Sequence, residues 1–303
     1  MSTANSPITG VCPVLSAAFH DDGQVDLGGF GAICRYVVNS GVSSVMVFGV
    51  ATENSKLNDD ERSAMLDVLV SEREGSGVAI VATVADHSTE LACARAQQWV
   101  DRGADVINIL PSYFLAPGQE QVLAHLGEIL DSVSVPVIIQ SLPSGGQEVP
   151  LADIVGLGVD HPNLAQIKVE NTPAAELIRD VERISRGTIS SLVGWGGLEW
   201  QEATLAGAVG VQPGCSLIEL YVGAQKYLES DDFAGFAEAF APLHAPLTLW
   251  MRHPEVLIAM EKHILMQRGI IASSRTRRPS ARLTAEDYAH ADRAMLLLPH
   301  QGA

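Results

Sequence analysis

Val135-Pro136-Val137-Ile138-Ile139-Gln140 and Leu164-Ala165-Gln166-Ile167-Lys168 are two short apolar runs, separated by a helix-forming stretch, and each ends on a polar side chain. Runs of this length, rich in Val and Ile and with little alternation, are what strands buried on both faces look like. Six more runs flank them: Gly10–Ser16, Ser44–Phe48, Val78–Thr83, Val106–Leu110, Ile189–Val193 and Gly210–Pro213. Helix candidates fall between and after them, near 26–39, 58–72, 88–101, 119–131, 150–157, 173–185, 198–206 and 216–229. Parallel strands need covering crossovers, so eight strand–helix repeats predict a (β/α)8 TIM barrel. A doubly wound open sheet is the competing architecture, but no GxGxxG follows the first run.

Helix starts are well signalled. Asn58 precedes Asp59, Asp60 and Glu61, and Ser88 precedes Glu90, which places caps and acidic residues in first turns. Beyond residue 229 the pattern turns to helices alone, near 231–245, 253–268 and 284–297, broken by Pro242, Pro246, Pro254 and Pro279. The expected organisation is a barrel over 1–229 carrying the active site and a C-terminal helical region over 230–303. That region either packs on the barrel or mediates oligomerisation.

The chain has 303 residues, long enough for one barrel with an appendage, and 47% of them are hydrophobic. Thirty-six acidic residues against nineteen basic ones give a formal charge of −17, which disfavours nucleic acid and anionic lipid as partners. The basic cluster Arg275, Arg277, Arg278 and Arg282 is the exception, read as a solvated or intersubunit ion-pairing surface. Cysteines 12, 34, 93 and 215 lack metal-ligand spacing, so no metal and no disulfide is expected. No signal-peptide pattern opens the sequence and no stretch approaches the length of a membrane span, so a soluble, cytoplasmic protein is expected.

In a barrel of this kind the chemistry sits at the C-terminal ends of strands and in the loops that follow. Those positions offer Ser16, Gly49 to Glu53, Thr83, Pro111 to Tyr113, Gln140, Lys168 with Glu170, Gly194 to Gly197, and Gln212. Lysines are four: Lys56, Lys168, Lys226 and Lys262. Three of them fall in loops or amphipathic helices, where a solvated amine is expected, and Lys168 alone ends a buried-type strand. A desolvated lysine loses its charge readily, and the neutral amine can attack a carbonyl to form an imine. The residues alone leave open a lysine that merely pairs with Glu170 at the barrel rim. A strand continuing past Lys168 is expected to turn Glu170 to the opposite face, unless a loop releases it.

Several segments in register resemble the dihydrodipicolinate synthase and N-acetylneuraminate lyase family, across nearly the whole chain. Val47-Phe48-Gly49-Val50-Ala51-Thr52-Glu53, followed by Leu57-Asn58-Asp59-Asp60-Glu61-Arg62, is similar to the family's Gly-Thr-Thr-Gly-Glu loop and Leu-Thr-x-x-Glu-Arg helix start. Pro111-Ser112-Tyr113 resembles its Pro-Tyr-Tyr, and Gln166-Ile167-Lys168 resembles the Gly-Ile-Lys that holds its imine-forming lysine. The resemblance implies Schiff-base chemistry on Lys168, with no cofactor and no metal. It implies that Val50, Ala51 and Thr52 receive a substrate carboxylate, and that Tyr113 is lent across a subunit interface of a dimer or tetramer to a proton relay. Gly194 and Gln212 join the expected substrate-binding set, Gly194 by leaving backbone space for the distal substrate or by making a tight turn around a packed indole.

The departures bear on the reaction. Gln140-Ser141-Leu142-Pro143 stands where most of the family has Tyr-Asn-x-Pro, so an amide replaces the relay tyrosine beside the lysine. Gln140 can donate and accept hydrogen bonds but is no general acid or base. Val50 and Ala51 replace the paired threonines, and Ser144-Gly145-Gly146 supplies no arginine for a second substrate carboxylate. Gln140 to Pro143, Lys168-Val169-Glu170 and Gly269-Ile270-Ile271-Ala272-Ser273-Ser274-Arg275-Thr276-Arg277-Arg278-Pro279 resemble instead the branch of 2-keto-3-deoxy-pentonate dehydratases. The resemblance therefore implies a lyase acting on a pyruvate-like or 2-keto-3-deoxy sugar acid, by dehydration or aldol cleavage. The alternatives are 4-hydroxy-tetrahydrodipicolinate synthesis or pyruvate aldolase activity proper, a barrel that binds a small carboxylate without turnover, and a phosphate-handling barrel using the glycines after the seventh run.

Overall fold

A computed structural model describes residues 8–111, 117–142 and 149–298. In chain order its elements are β1 (Gly10–Val11), α1 (Leu27–Val38), β2 (Ser44–Val47), α2 (Asp59–Glu72), β3 (Ala79–Val84), α3 (Thr89–Asp101), β4 (Val106–Ile109), α4 (Gln119–Ser132), β5 (Val137–Ser141), α5 (Leu151–Gly156), β6 (Leu164–Val169), α6 (Ala174–Ser185), β7 (Ser190–Val193), α7 (Trp200–Leu205), β8 (Gly210–Val211) and α8 (Ile218–Glu229). The helices α9 (Phe233–Trp250), α10 (Pro254–Gln267) and α11 (Ala285–Met295) follow. Eight strands alternate with eight helices, and the chain has the (β/α)8 barrel fold with a C-terminal helical extension.

The chain divides into two compact units, Met1–Thr9 with Ala79–Gln212, and Gly10–Val78 with Pro213–Ala303. In the first, β3 to β8 pair in sequence order, all parallel. The register sets Thr83 beside Asn108, Asn108 beside Ile138, Gln140 beside Lys168, and Lys168 beside Leu192. Side chains alternate across a strand. One face of these strands therefore carries Thr83, Asn108, Gln140, Gln166 and Lys168, while the other carries Val84, Ile107, Ile109, Ile139 and Ile167, all at most 1% exposed. Gln166 closes one end of its own unit by exchanging two hydrogen bonds of 2.9 Å with the Ile8 backbone. Trp99, fully buried, donates its indole N–H to the Thr83 carbonyl at 3.2 Å and fixes α3 against β3.

In the second unit, the first apolar run is shorter as a strand than expected. Regular pairing stops at Val11, and only Val14 bridges, to Met46 and Gly214. Pro13 is the reason: it has no N–H to give the ladder, although its carbonyl still accepts from Met46 N at 2.8 Å. Helix α2 begins at a reciprocal capping box of Asn58 and Glu61, with both bonds at 2.9 Å.

A second departure concerns α9, expected to break near Pro242 and Pro246 but continuous from Phe233 to Trp250. Each proline removes one backbone donor. Against that loss, Phe236, Phe240, Leu243, Leu247 and Trp250 recur at spacings of four and three and are all buried, so breaking the helix would expose a continuous apolar face. Burial of that stripe outweighs the two missing bonds.

Candidate active site

Lys168 lies at the penultimate position of β6 and is 5% exposed. Its Nζ stands 3.1 Å from Oε1 of Glu170, the one polar partner of that amine among the described residues. The expectation that Glu170 turns away from Lys168 is wrong on geometry: residues two apart share a strand face. Glu170 N continues the ladder past the end of β6 by donating to the Ser141 carbonyl at 2.9 Å, so the alternation holds. Gln166, Lys168 and Glu170 thus form one polar row.

Glu170 is 9% exposed and is ringed by donors. Gln140 Nε2 donates to Oε2, and the Trp195 backbone N–H donates to Oε1 at 3.1 Å. Trp195 reaches this position with φ of 53°, a left-handed conformation that non-glycine residues seldom adopt. Gly194 admits the carboxylate: a Cβ there would sit 2.2 Å from Glu170 Oε1 and 2.4 Å from its Cγ. The absence of a side chain at 194 therefore makes room for the protein's own carboxylate, a role the sequence does not announce.

Behind Gln140 the polar row extends across the neighbouring strands. Asn108, fully buried, donates from Nδ2 to Gln140 Oε1 at 3.2 Å and to Thr83 Oγ1 at 3.3 Å. Its Oδ1 has no hydrogen-bond partner among the described residues. Asn108 is a site residue that sequence reasoning missed. Its one signal is a lone amide inside Val106-Ile107-Asn108-Ile109, where every neighbour is apolar.

Of the other expected site residues, Gln212 is 2% exposed and donates its backbone N–H to the Val193 carbonyl at 2.9 Å. Tyr113, Ser112, Pro143 and Ser144-Gly145-Gly146 lie outside the described residues. Val50, Ala51 and Thr52 belong to the second unit, where they form a single 3-10 turn with Val50 exposed and Thr52 buried. The hydroxyl hydrogen of Thr52 is engaged there by the Leu15 carbonyl at 2.7 Å.

The second unit also holds a buried charge cluster that overturns two expectations. Lys262, expected to be solvated on an amphipathic helix, is 0% exposed. It pairs with Glu53, donates to the Arg275 carbonyl at 2.9 Å and lies 4.1 Å from the centre of the Phe19 ring. Burial pushes its amine down to about 8 from an ordinary 10.5, with Glu53 opposing the shift. The physical cause is that α10 is buried all round, from Val256 through Leu265, so its charged residues have no wet face to occupy. Arg277, expected on a solvated or intersubunit surface, instead grips Glu61 with both guanidinium ends and donates to the Gly23 and Lys56 carbonyls within the same unit. Lys56 is likewise paired, with Glu53 and Glu255 at 3.1 and 2.7 Å.

Among the described residues no group of His, Cys, Asp or Glu is arranged to hold a metal ion, and no helix is long and apolar enough to cross a membrane. All four cysteines are free thiols.

A parallel barrel with a buried lysine near the end of β6 and a carboxylate held against it belongs to a class of α/β enzymes that build their sites at strand ends. Residues 7–296 match the model of the dihydrodipicolinate synthetase family, and the chain belongs to that family of aldolases and lyases. The chain is similar to the L-2-keto-3-deoxyarabonate dehydratase of Azospirillum brasilense, 25% identical over 296 residues that cover 93% of this chain and 92% of that enzyme. Its fold is that of the dihydrodipicolinate synthase from Rhodopseudomonas palustris, with TM-score 0.86 and 22% identity over 96% of this chain and 97% of that one. It matches equally the fold of YagE, a prophage protein of the same family from E. coli K12 solved with pyruvate, with TM-score 0.86 and 20% identity over 96% and 98% of the two chains.

Proposed function

We propose that this protein is a Schiff-base-forming dehydratase, in which Lys168 condenses with the 2-oxo group of a 2-keto-3-deoxy sugar acid and water is then eliminated across C3 and C4. The observation that carries the reading is the Glu170 carboxylate held 3.1 Å from Lys168 Nζ by Gln140 and the Trp195 N–H. A carboxylate at that distance can receive a proton from the amine as it adds to the carbonyl and return it to the carbinolamine hydroxyl, which departs as water and leaves the iminium and a free carboxylate. The iminium formed is an electron sink that acidifies the C3 hydrogens. C3 lies about 2.5 Å from the imine nitrogen, by bond lengths of about 1.3 and 1.5 Å, so the same carboxylate reaches a C3 proton. The resulting enamine expels the C4 hydroxyl, which leaves as water by taking up the proton that the carboxylate removed from C3.

Gln140 supports dehydration over dipicolinate synthesis. Where a phenol would pass protons, this amide donates to Glu170 and cannot exchange protons itself at ordinary pH. The likeness to the Azospirillum dehydratase, which spans nearly the full length of both chains, supports the same substrate class.

Borohydride reduction in the presence of a 2-keto-3-deoxy pentonate or pyruvate is expected to fix the acid on the Lys168 peptide, read by mass. Product analysis separates the outcomes that follow the imine: dehydration gives one product lighter by one water, aldol cleavage gives two fragments. Lack of an adduct with every 2-oxo acid offered would defeat the imine assignment, and two fragments would replace dehydration with cleavage.

A further inference from the structure

We propose that Asn108 is a positioning residue for this dehydration, fixing the direction of the Gln140 amide so that the Glu170 carboxylate is held facing Lys168. The inference rests on the roles of Lys168 and Glu170 proposed above.

The polarity of the row follows from its last member. An ionised carboxylate only accepts hydrogen bonds, so Gln140 must offer Nε2 to Glu170, as it does. Its Oε1 is then turned to the other side, at a residue 2% exposed, and needs a donor of its own. Asn108 Nδ2 supplies one at 3.2 Å, and the second hydrogen of the same amide meets Thr83 Oγ1 at 3.3 Å. Both donors of Asn108 are thereby committed in one direction.

The reverse setting of the Asn108 amide is the unfavourable one. Its Oδ1 is buried, without a hydrogen-bond partner among the described residues. Turning the amide over would put that oxygen against Gln140 Oε1, two acceptors face to face. With Asn108 unable to donate, the terminal torsion of Gln140 is two-fold and loosely held. Half of its settings then present an oxygen to the Glu170 carboxylate in place of the N–H it now accepts, and the carboxylate loses the contact that holds it facing Lys168.

The test is Asn108→Leu, made in the wild type and in a Gln140→Leu background, with dehydration followed. In the wild type kcat is expected to fall about 10-fold, the equivalent of one hydrogen bond, with KM changed less than about 3-fold. In the Gln140→Leu background the second substitution is expected to add nothing, since the amide it acts through is gone.

An equal loss in both backgrounds, or a wild-type kcat unmoved by the substitution, would overturn the proposal. If Asn108→Leu does not fold, Asn108→Asp keeps the shape but withdraws the donor, and the same pair of backgrounds separates the two outcomes. Borohydride trapping of Lys168 in the unsubstituted enzyme distinguishes the two failures: a trapped imine with additive effects sinks the Asn108 role alone, whereas no imine sinks both.

Discussion

Gly194→Ala probes the site through its most confined contact. A methyl at 194 would lie 2.2 Å from Glu170 Oε1, 2.4 Å from Cγ and 2.6 Å from Cδ, all well inside van der Waals distance. The carboxylate must retreat by about 1 Å, which carries a bond of 3.1 Å beyond hydrogen-bond range. Losing one hydrogen bond to a charged group is worth about 1.5–3 kcal/mol, and overpacking at a tight site costs a further 1–3 kcal/mol or so. Stability is therefore expected to fall by about 2.5–6 kcal/mol, read as a lowered melting temperature.

The effect on rate follows from what is displaced. If Glu170 is the base, a base pushed out of reach forfeits much of the roughly 10²- to 10⁴-fold such a group contributes. We expect kcat for dehydration to drop about 10²-fold, and borohydride trapping of Lys168 to slow as well, because the same carboxylate serves imine formation. The control is Glu170→Gln: if Gly194 acts through Glu170, the double variant is no slower than Glu170→Gln alone. A Gly194→Ala enzyme within about 3-fold of wild-type kcat would refute the argument, since the carboxylate cannot both keep its place and make room for the methyl.

Two further predictions concern the second unit. Because the Lys262 amine titrates near 8 when folded and at 10.5 when unfolded, the unfolded chain alone binds that proton between those values. Stability contributed at this site should therefore rise with pH from about 8 to 10.5, by at most about 3.5 kcal/mol at roughly 1.4 kcal/mol per pH unit; denaturant titrations of wild type and Lys262→Met across that window check it, and parallel pH dependences would reject it. Gly214→Ala would place a methyl 2.3–2.5 Å from the carboxylate of Glu261, which is 4% exposed and accepts from Ser216 N at 2.8 Å. That substitution should destabilise by about 1–3 kcal/mol, and a variant melting with the wild type would show that Glu261 has somewhere else to go.

The barrel was legible because a buried parallel strand has a local signature. Eight short apolar runs were enough to find all eight strands; the first, with Pro13 inside it, overran most, and the eighth ran on to Pro213 where its strand ends at Val211. Lys168 was legible for the same reason, as a charge at the end of an apolar run. Gln140 and Glu170 were legible as strand-end residues, but the contacts that join them and Asn108 were not, because they depend on register: which residue of β5 stands beside Lys168 is set by an irregularity between Val137 and Ile138 that no local pattern encodes. The φ of Trp195 that aims its N–H at Glu170 is equally invisible in composition. Lys262 misleads because a Glu-Lys-His stretch reads as a wet helix face, and only tertiary packing shows that α10 has none.

The two buried lysines show why a depressed pKa does not by itself mark a nucleophile. Lys262 is the one whose amine is pushed toward neutrality, yet it is fully enclosed, and a lysine ammonium has only three hydrogens to give. Glu53, the Arg275 carbonyl and the face of Phe19 account for its surroundings, so an incoming carbonyl finds no open direction of approach. Lys168 is nearly as buried, but among the described residues it has one polar partner, and that partner is a carboxylate able to take its proton. Two of its hydrogens remain uncommitted to the described residues. Lys262 is committed to its packing partners, whereas Lys168 faces a single carboxylate. On the proposed reading reactivity follows from that difference in partners, so Glu170→Gln is expected to slow borohydride trapping of Lys168 as well as dehydration, and trapping at the wild-type rate would refute it.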